Sequence, residues 1–380
     1  MSTRLLASVL ATGAALWALP GHAASPACTG ANETKLSWPA ANPIWEMCWL
    51  RPQHSSGPDG SGLELRNVHL NGYPLLKAAH SPLLFAEYTG STCYRDWKDA
   101  TTSILGEPAV RNQLGTSVAF NATTSCDRSN HPTTSYGACP FQLPGRTGAD
   151  CFNGVAIEDR GDHVILTVQY NAAWYSYGSR FIFHADGSFE PLFGFGNYDG
   201  TNNGTTHWHH NYWRLDFDID GPANDQVSVN DVVRTTEFTD LRSLTGGPGG
   251  TERTWEVRDS VTGRGFRLMP SSADYVTPTN QSGRGFHTTD LVATVYKPNE
   301  YGDRVDNNIG ACGMAHANLA NGEDLDGPAG AGTDVVLYYR VGVRDLTGVD
   351  SMICKDAGPV FVPFGPWGAD LIFGHDFELP

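Results

Sequence analysis

Apolar and polar residues alternate with a period of two along much of the chain, and each alternating run ends at a turn signal. Leu63–Leu70 reads as a half-buried strand, and Asn71-Gly72 is a strong hairpin turn into Tyr73–Tyr88. Val164–Tyr170 is a clear strand, followed by Trp174–Phe183, on which Tyr175, Tyr177, Phe181 and Phe183 share one face. Asp186-Gly187 turns the chain and Ser188–Phe195 returns. Val227–Asp240 and Thr251–Leu268 read as further strands around a Gly246–Gly250 loop, and Asp334–Val343 as a late strand. No helical periodicity is sustained, so the pattern predicts an all-β protein.

The longest alternating run is His207–Gly221. As one strand, it presents His207, His209, Asn211, Trp213, Leu215, Phe217 and Ile219 on an apolar face. Trp208, His210, Tyr212, Arg214, Asp216, Asp218 and Asp220 fall on the other face, which reads as an acidic, wet one. Imidazoles at i and i+2 of a strand reach one point in space. They can grip a metal ion, or they can sit as a hydrogen-bonded pair in an aromatic wall.

Composition narrows the class. The 380 residues suffice for one large β domain or two smaller ones, and 43 glycines with 23 prolines fit many turns. A formal net charge of −16 argues against nucleic acid as a partner, because nucleic acid needs a basic footprint. Residues 1–24 read as a secretory signal, with Arg4, an apolar run Leu5–Leu19 and a small-residue exit. No later run is long enough to span a bilayer, so the mature protein is expected to be secreted or periplasmic. Eight cysteines at 28, 48, 93, 126, 139, 151, 312 and 354 fit an oxidising compartment, and none forms a Cys-x-x-Cys pair. Their connectivity stays open. Ser25–Gly62 reads as a turn-rich lead-in tied down by Cys28 and Cys48, Thr123–Asp150 as a long loop region, and residues 364–380 as a tail.

The run His-x-His-x-x-x-x-Arg-Leu-Asp-x-x-Ile-Asp-Gly, residues 207–221, resembles the copper-ligand strand of copper-containing primary-amine oxidases. The resemblance extends over about 63–363. It implies their catalytic domain, a large β-sandwich of the supersandwich type that is usually homodimeric. It also implies their chemistry, in which copper and topaquinone, made from a tyrosine of the chain itself, deaminate a small-molecule primary amine to an aldehyde with release of ammonia and hydrogen peroxide.

Residue by residue, the resemblance puts Tyr175 in the place of the quinone precursor, on the strand before the Asp186-Gly187 hairpin. The usual neighbours are exchanged: Trp174 stands for an asparagine and Ser176 for an acid. Asn197-Tyr198-Asp199 spells the motif better but follows the hairpin, so position rules it out. Asp99, Trp97 and Tyr88 resemble the catalytic base, the aromatic gate and the tyrosine that hydrogen-bonds the quinone. A buried carboxylate suits removal of the α-proton of the substrate. His207 and His209 match two copper ligands. The third, a histidine in the family, is Asp345 here, and a set of two imidazoles and a carboxylate is less specific for copper. Asp216, Asp218 and Asp334 match a peripheral site that usually holds calcium, which favours such hard oxygen ligands.

Two readings of function follow. In one the chain is an active copper and topaquinone amine oxidase. In the other it keeps the sandwich and the calcium but has lost the redox centre through the changes at 174, 176 and 345, and acts as a binding or structural module. A third is a carboxylate-containing site that uses another metal for unrelated oxidation.

Overall fold

Strands form where the two-residue alternation is strongest, and paired turns set their order. The computed structural model describes residues 25–50, 54–56, 62–88, 93–96, 104–107, 155–172, 175–197, 205–242, 253–270, 289–298, 320–346 and 353–368. The chain opens with β1 (Thr34–Trp38), β2 (Trp45–Leu50), β3 (Glu64–Leu70), β4 (Tyr73–Tyr88), β5 (Cys93–Asp96) and β6 (Ile104–Glu107). Next come β7 (Ala156–Asp159), β8 (His163–Ala172), β9 (Tyr175–His184), β10 (Phe189–Asn197) and β11 (His207–Phe217). The short strands β12 (Asp225–Val229), β13 (Val232–Val233), β14 (Phe238–Asp240), β15 (Trp255–Asp259), β16 (Gly265–Met269) and β17 (Leu291–Val295) follow. The last three are β18 (Val335–Asp345), β19 (Ile353–Ala357) and β20 (Val360–Phe364).

The strands form two large antiparallel sheets, and the fold is all-β. In the first sheet the order is β1-β2-β3-β4-β11-β18-β17-β14, with β5 on β4. In the second it is β13-β12-β15-β16-β20-β10-β9-β8-β6, with β19 on β10 and β7 on β8. One apolar core joins the two. Trp45 meets Phe183, Trp213 meets Phe181, Phe217 meets Phe361 and Trp255 meets Tyr339 across the gap. These are the inward residues of a β-sandwich, each worth about 1.5–3 kcal/mol of transfer from water for the aliphatic and phenyl cases.

The predicted hairpins are present. Asn71 and Gly72 both take positive φ, 50° and 79°, as a two-residue turn between twisted strands requires. Gly187 turns β9 into β10 at φ 86°, and Asp186 Oδ1 accepts from the Ser188 amide at 2.8 Å.

Three expectations change. The lead-in supplies β1 and β2, which extend the first sheet beyond β3, and Cys28 is bonded to Cys48 there. Its many turn residues hid the edge strand β1 and its neighbour β2. The single strand expected over 227–240 is three short pieces, because Asn230 and Asp231 adopt left-handed backbone and fold β12 back onto β13. The face of β11 expected to be wet is dry: Trp208, His210, Tyr212, Arg214 and Asp216 are all buried. A second apolar cluster of Leu83, Phe85, Tyr212, Val292, Val336 and Tyr338 lies on that side of the sheet. The polar groups beside it are paired with one another. His210 Nε2 donates to Glu87 at 2.8 Å, Arg340 donates to His210 Nδ1 at 3.1 Å, and Arg340 also pairs with Asp290. Alternation of polar residues marks a face, and only its partners decide whether that face meets water.

Candidate metal and oxidation centre

β11 lies between β4 and β18, and that placement builds the centre. His207 stands opposite Tyr88 on one side and Asp345 on the other. The result is a row of phenol, imidazole and carboxylate across three strands. The next inward row, Ala86, His209 and Val343, puts small or slim side chains beside the second imidazole. Tyr88 stacks on His207 with ring centroids 4.8 Å apart and planes 17° from parallel. Both histidines are fully buried, and their rings lie 5.0 Å apart at 73°.

The hydrogen bonds define what each ring offers. His207 Nδ1 donates to the Thr205 carbonyl at 2.7 Å, so Nε2 is its lone-pair nitrogen. Asp345 Oδ2 lies 3.6 Å from that Nε2. The separation is too long for a hydrogen bond and suits two ligands at roughly 2.0–2.2 Å from one ion. His209 Nδ1 lies 2.9 Å from the Tyr177 hydroxyl. Burial lowers the pKa of both rings. For His209 the neighbouring His207 and His210 act in the same direction, while for His207 the Thr205 bond and Asp345 oppose it. Both are therefore neutral at neutral pH, the state a metal ligand requires. The residues present fit a divalent transition ion, with a nitrogen and oxygen donor set that does not single out copper.

Cross-sheet register locates the strand of Tyr175. Tyr177 on β9 meets His209 on β11, and Phe181 meets Trp213. Both strands advance by four residues between these contacts, so they run the same way across the gap. Two residues back, backbone position 175 falls in register with His207. Tyr175 pairs with Ala172 and Asn197 in its own sheet. Tyr175 and Ser176 are described by their backbone alone, and Trp174, Trp97 and Asp99 lie outside the described residues. The contact between Tyr177 and His209 was not anticipated. The signal was available, since Tyr175 and Tyr177 share one face of their strand by sequence, as His207 and His209 do.

At the other end of β11, Asp216, Asp218 and Asp334 each bring a carboxylate oxygen to within 4.8 Å of the others. Arg214 donates to Asp216 Oδ2 at 3.3 Å. Burial, and then the Asp216 carboxylate, push Asp218 up to about 7 from its ordinary 3.8, with Lys77 opposing. From about pH 4 to about pH 7 the folded chain therefore holds a proton that the unfolded chain has released. The stability linked to this proton is complete in acid and is lost as pH rises through about 7. The melting temperature without added cation is expected to fall between about pH 4 and about pH 7 beyond the general trend, and Asp218→Asn to flatten that fall. Calcium at a hundredfold excess over its dissociation constant is expected to add about 3 kcal/mol near pH 8. A melting curve unmoved by calcium at that pH would remove the cation from this cluster.

Among the described residues no helix is long and apolar enough to cross a membrane. The Cys28–Cys48 bond is compatible with an extracytoplasmic location.

Neither a protein-family model nor a curated protein sequence matches the chain. Solved structures do. Pichia pastoris lysyl oxidase aligns with a TM-score of 0.52 and 14% identity, over 84% of this chain and 51% of its own. A copper-containing benzylamine oxidase from Hansenula polymorpha gives 0.51 and 14%, over 93% and 63%. An Aspergillus nidulans amine oxidase gives 0.50 and 14%, over 93% and 55%. This chain thus spans between half and two thirds of the length of those enzymes. At such identity the likeness is one of fold: the two sheets are arranged as in the β-sandwich of amine oxidases.

Proposed function

We propose that the chain is an extracytoplasmic oxidoreductase of the amine-oxidase type. It converts a primary amine, dioxygen and water to an aldehyde, ammonia and hydrogen peroxide. The observation that carries this reading is the row of Tyr88, His207 and Asp345, with the backbone of Tyr175 in register across the gap. His207, His209 and Asp345 hold the ion, and Tyr175 is the phenol that becomes the quinone. Copper and topaquinone, when bound, supply the two-electron oxidation of the amine and the return of those electrons to dioxygen.

The chain's own groups do the rest. The Thr205 carbonyl holds His207 in the tautomer that leaves Nε2 toward Asp345. Tyr88, flat against His207, fixes the plane of that ring. The surrounding aromatic side chains exclude water, which strengthens the electrostatic interactions within the site. Asp99 takes the α-proton of the substrate, and Trp97 gates the entry. Calcium at Asp216, Asp218 and Asp334 stabilises the far end of β11, and the protein works as a homodimer.

The test is a protein purified from copper-supplemented cells. Quinone redox staining, a mass shift in the peptide that contains Tyr175, and about one copper per chain are expected, with Tyr175→Phe abolishing the stain and the shift. Peroxide release on adding benzylamine, phenethylamine or tyramine would exclude a purely structural role. A protein with neither stain nor copper would leave the sandwich as a binding or structural module.

A further inference from the structure

We infer that Tyr177 is a positioning residue for the metal centre, holding His209 in the orientation that can ligate an ion through Nε2. The inference rests on His207 and His209 being metal ligands and goes beyond it, because that reading gives Tyr177 no role.

The geometry is tight. Tyr177 and His209 are both fully buried, and their polar atoms lie 2.9 Å apart. Phe195 lies flat on His209, with centroids 3.7 Å apart and planes 23° from parallel. Phe193 and Phe195 flank the Tyr177 ring at 5.7 and 5.9 Å. The phenyl stack fixes the plane of the imidazole, and the hydroxyl fixes its rotation within that plane.

The hydrogen-bond chemistry then follows. An ion takes a lone pair of His209. With Nδ1 at the hydroxyl, that lone pair is on Nε2, so Nδ1 must carry the hydrogen and donate to the Tyr177 oxygen. Without an ion, the same hydroxyl can donate to Nδ1 while Nε2 carries the hydrogen. One proton moves between the ring nitrogens, and none is gained or lost. A hydroxyl serves both states because it both donates and accepts, whereas a carboxylate in its place would accept only. Tyr177 thus lets the ring load and unload without turning. An oxygen acceptor at the far nitrogen also raises the basicity of the ligand.

The test compares wild-type protein, Tyr177→Phe and His209→Ala by Cu2+ titration and by electron paramagnetic resonance of the loaded forms. Tyr177→Phe is expected to weaken Cu2+ binding about 10- to 100-fold and to shift the copper hyperfine splitting, while His209→Ala loses more. A role in packing alone would lower the melting temperature and leave the hyperfine splitting where it was. If Tyr177→Phe binds Cu2+ as wild type does, with the same spectrum, the positioning role is overturned and the metal centre stands. If wild-type protein binds Cu2+ no better than His209→Ala, the centre itself falls, and Tyr177 with it. A second measurement does not depend on the variant folding. In protein labelled with 15N-histidine, loading with Zn2+ is expected to move the ring hydrogen of His209 onto Nδ1. A ring hydrogen that stays on Nε2 overturns the inference.

Discussion

Arg340→Met is expected to lower the unfolding free energy by about 3–5 kcal/mol. Methionine fills much of the same volume, so packing accounts for little of the loss. What disappears is the charge that Asp290 depends on. Burial alone would raise the Asp290 carboxyl, but Arg340 and Arg242 beside it hold it below the usual range. The Arg242 amide donates to the same carboxylate at 3.0 Å. Without Arg340, Asp290 keeps only a partial set of partners in a site with no access to water, and His210 Nδ1 loses the donor that fixes its tautomer. Urea unfolding measures the effect. Adding Asp290→Asn is expected to recover part of the loss, because it removes the stranded charge. A loss below about 1 kcal/mol would mean that water reaches Asp290.

Trp45→Ala is expected to cost about 3–5 kcal/mol. Trp45 lies on β2, in the stretch that by sequence reads as a lead-in, yet it is fully buried. Its ring packs on Phe183 at 4.8 Å and on Phe189 at 6.2 Å, and its Nε1 donates to the His184 carbonyl at 2.7 Å. It therefore ties the edge of the first sheet to the β9–β10 hairpin of the second. The substitution opens a cavity and removes one of the two donors to the His184 carbonyl, which keeps the Gly187 amide at 3.1 Å. Thermal unfolding with the Cys28–Cys48 bond intact measures the effect. A shift no larger than that of a surface substitution would mean that β1 and β2 can leave the sheet without disturbing the core.

The hairpins and the inward face of β11 were legible because each depends on local signals: Asn-Gly and Asp-Gly turns, and a strict alternation ending in Trp213, Leu215 and Phe217. The strands β1 and β2 were obscured because residues 25–62 carry more turn formers than alternating apolar residues. The outer face of β11 could not be read locally. His210 is dry because Glu87 lies on β4 and Arg340 on β18, partners more than a hundred residues away in sequence. The pair His207 and His209 was legible as a residue type at a spacing of two, whereas Tyr88 and Asp345 came only through the resemblance to amine oxidases. The role of Tyr177 depends on how the two sheets slide over each other, and no pattern within one strand reports that.

The matched advance of β9 and β11 works as a vernier between the two sheets. Substitutions leave such a scale unchanged, so a residue such as Asp345 can be exchanged without moving the Tyr177 phenol relative to the His209 imidazole. An inserted or deleted residue between Tyr177 and Phe181 would act differently. It would turn Tyr177 to the outside of its sheet while the rest of the core stayed in place. Side chains around this contact can therefore drift by point mutation, but the meeting of Tyr177 with His209 depends on the length of four residues of β9.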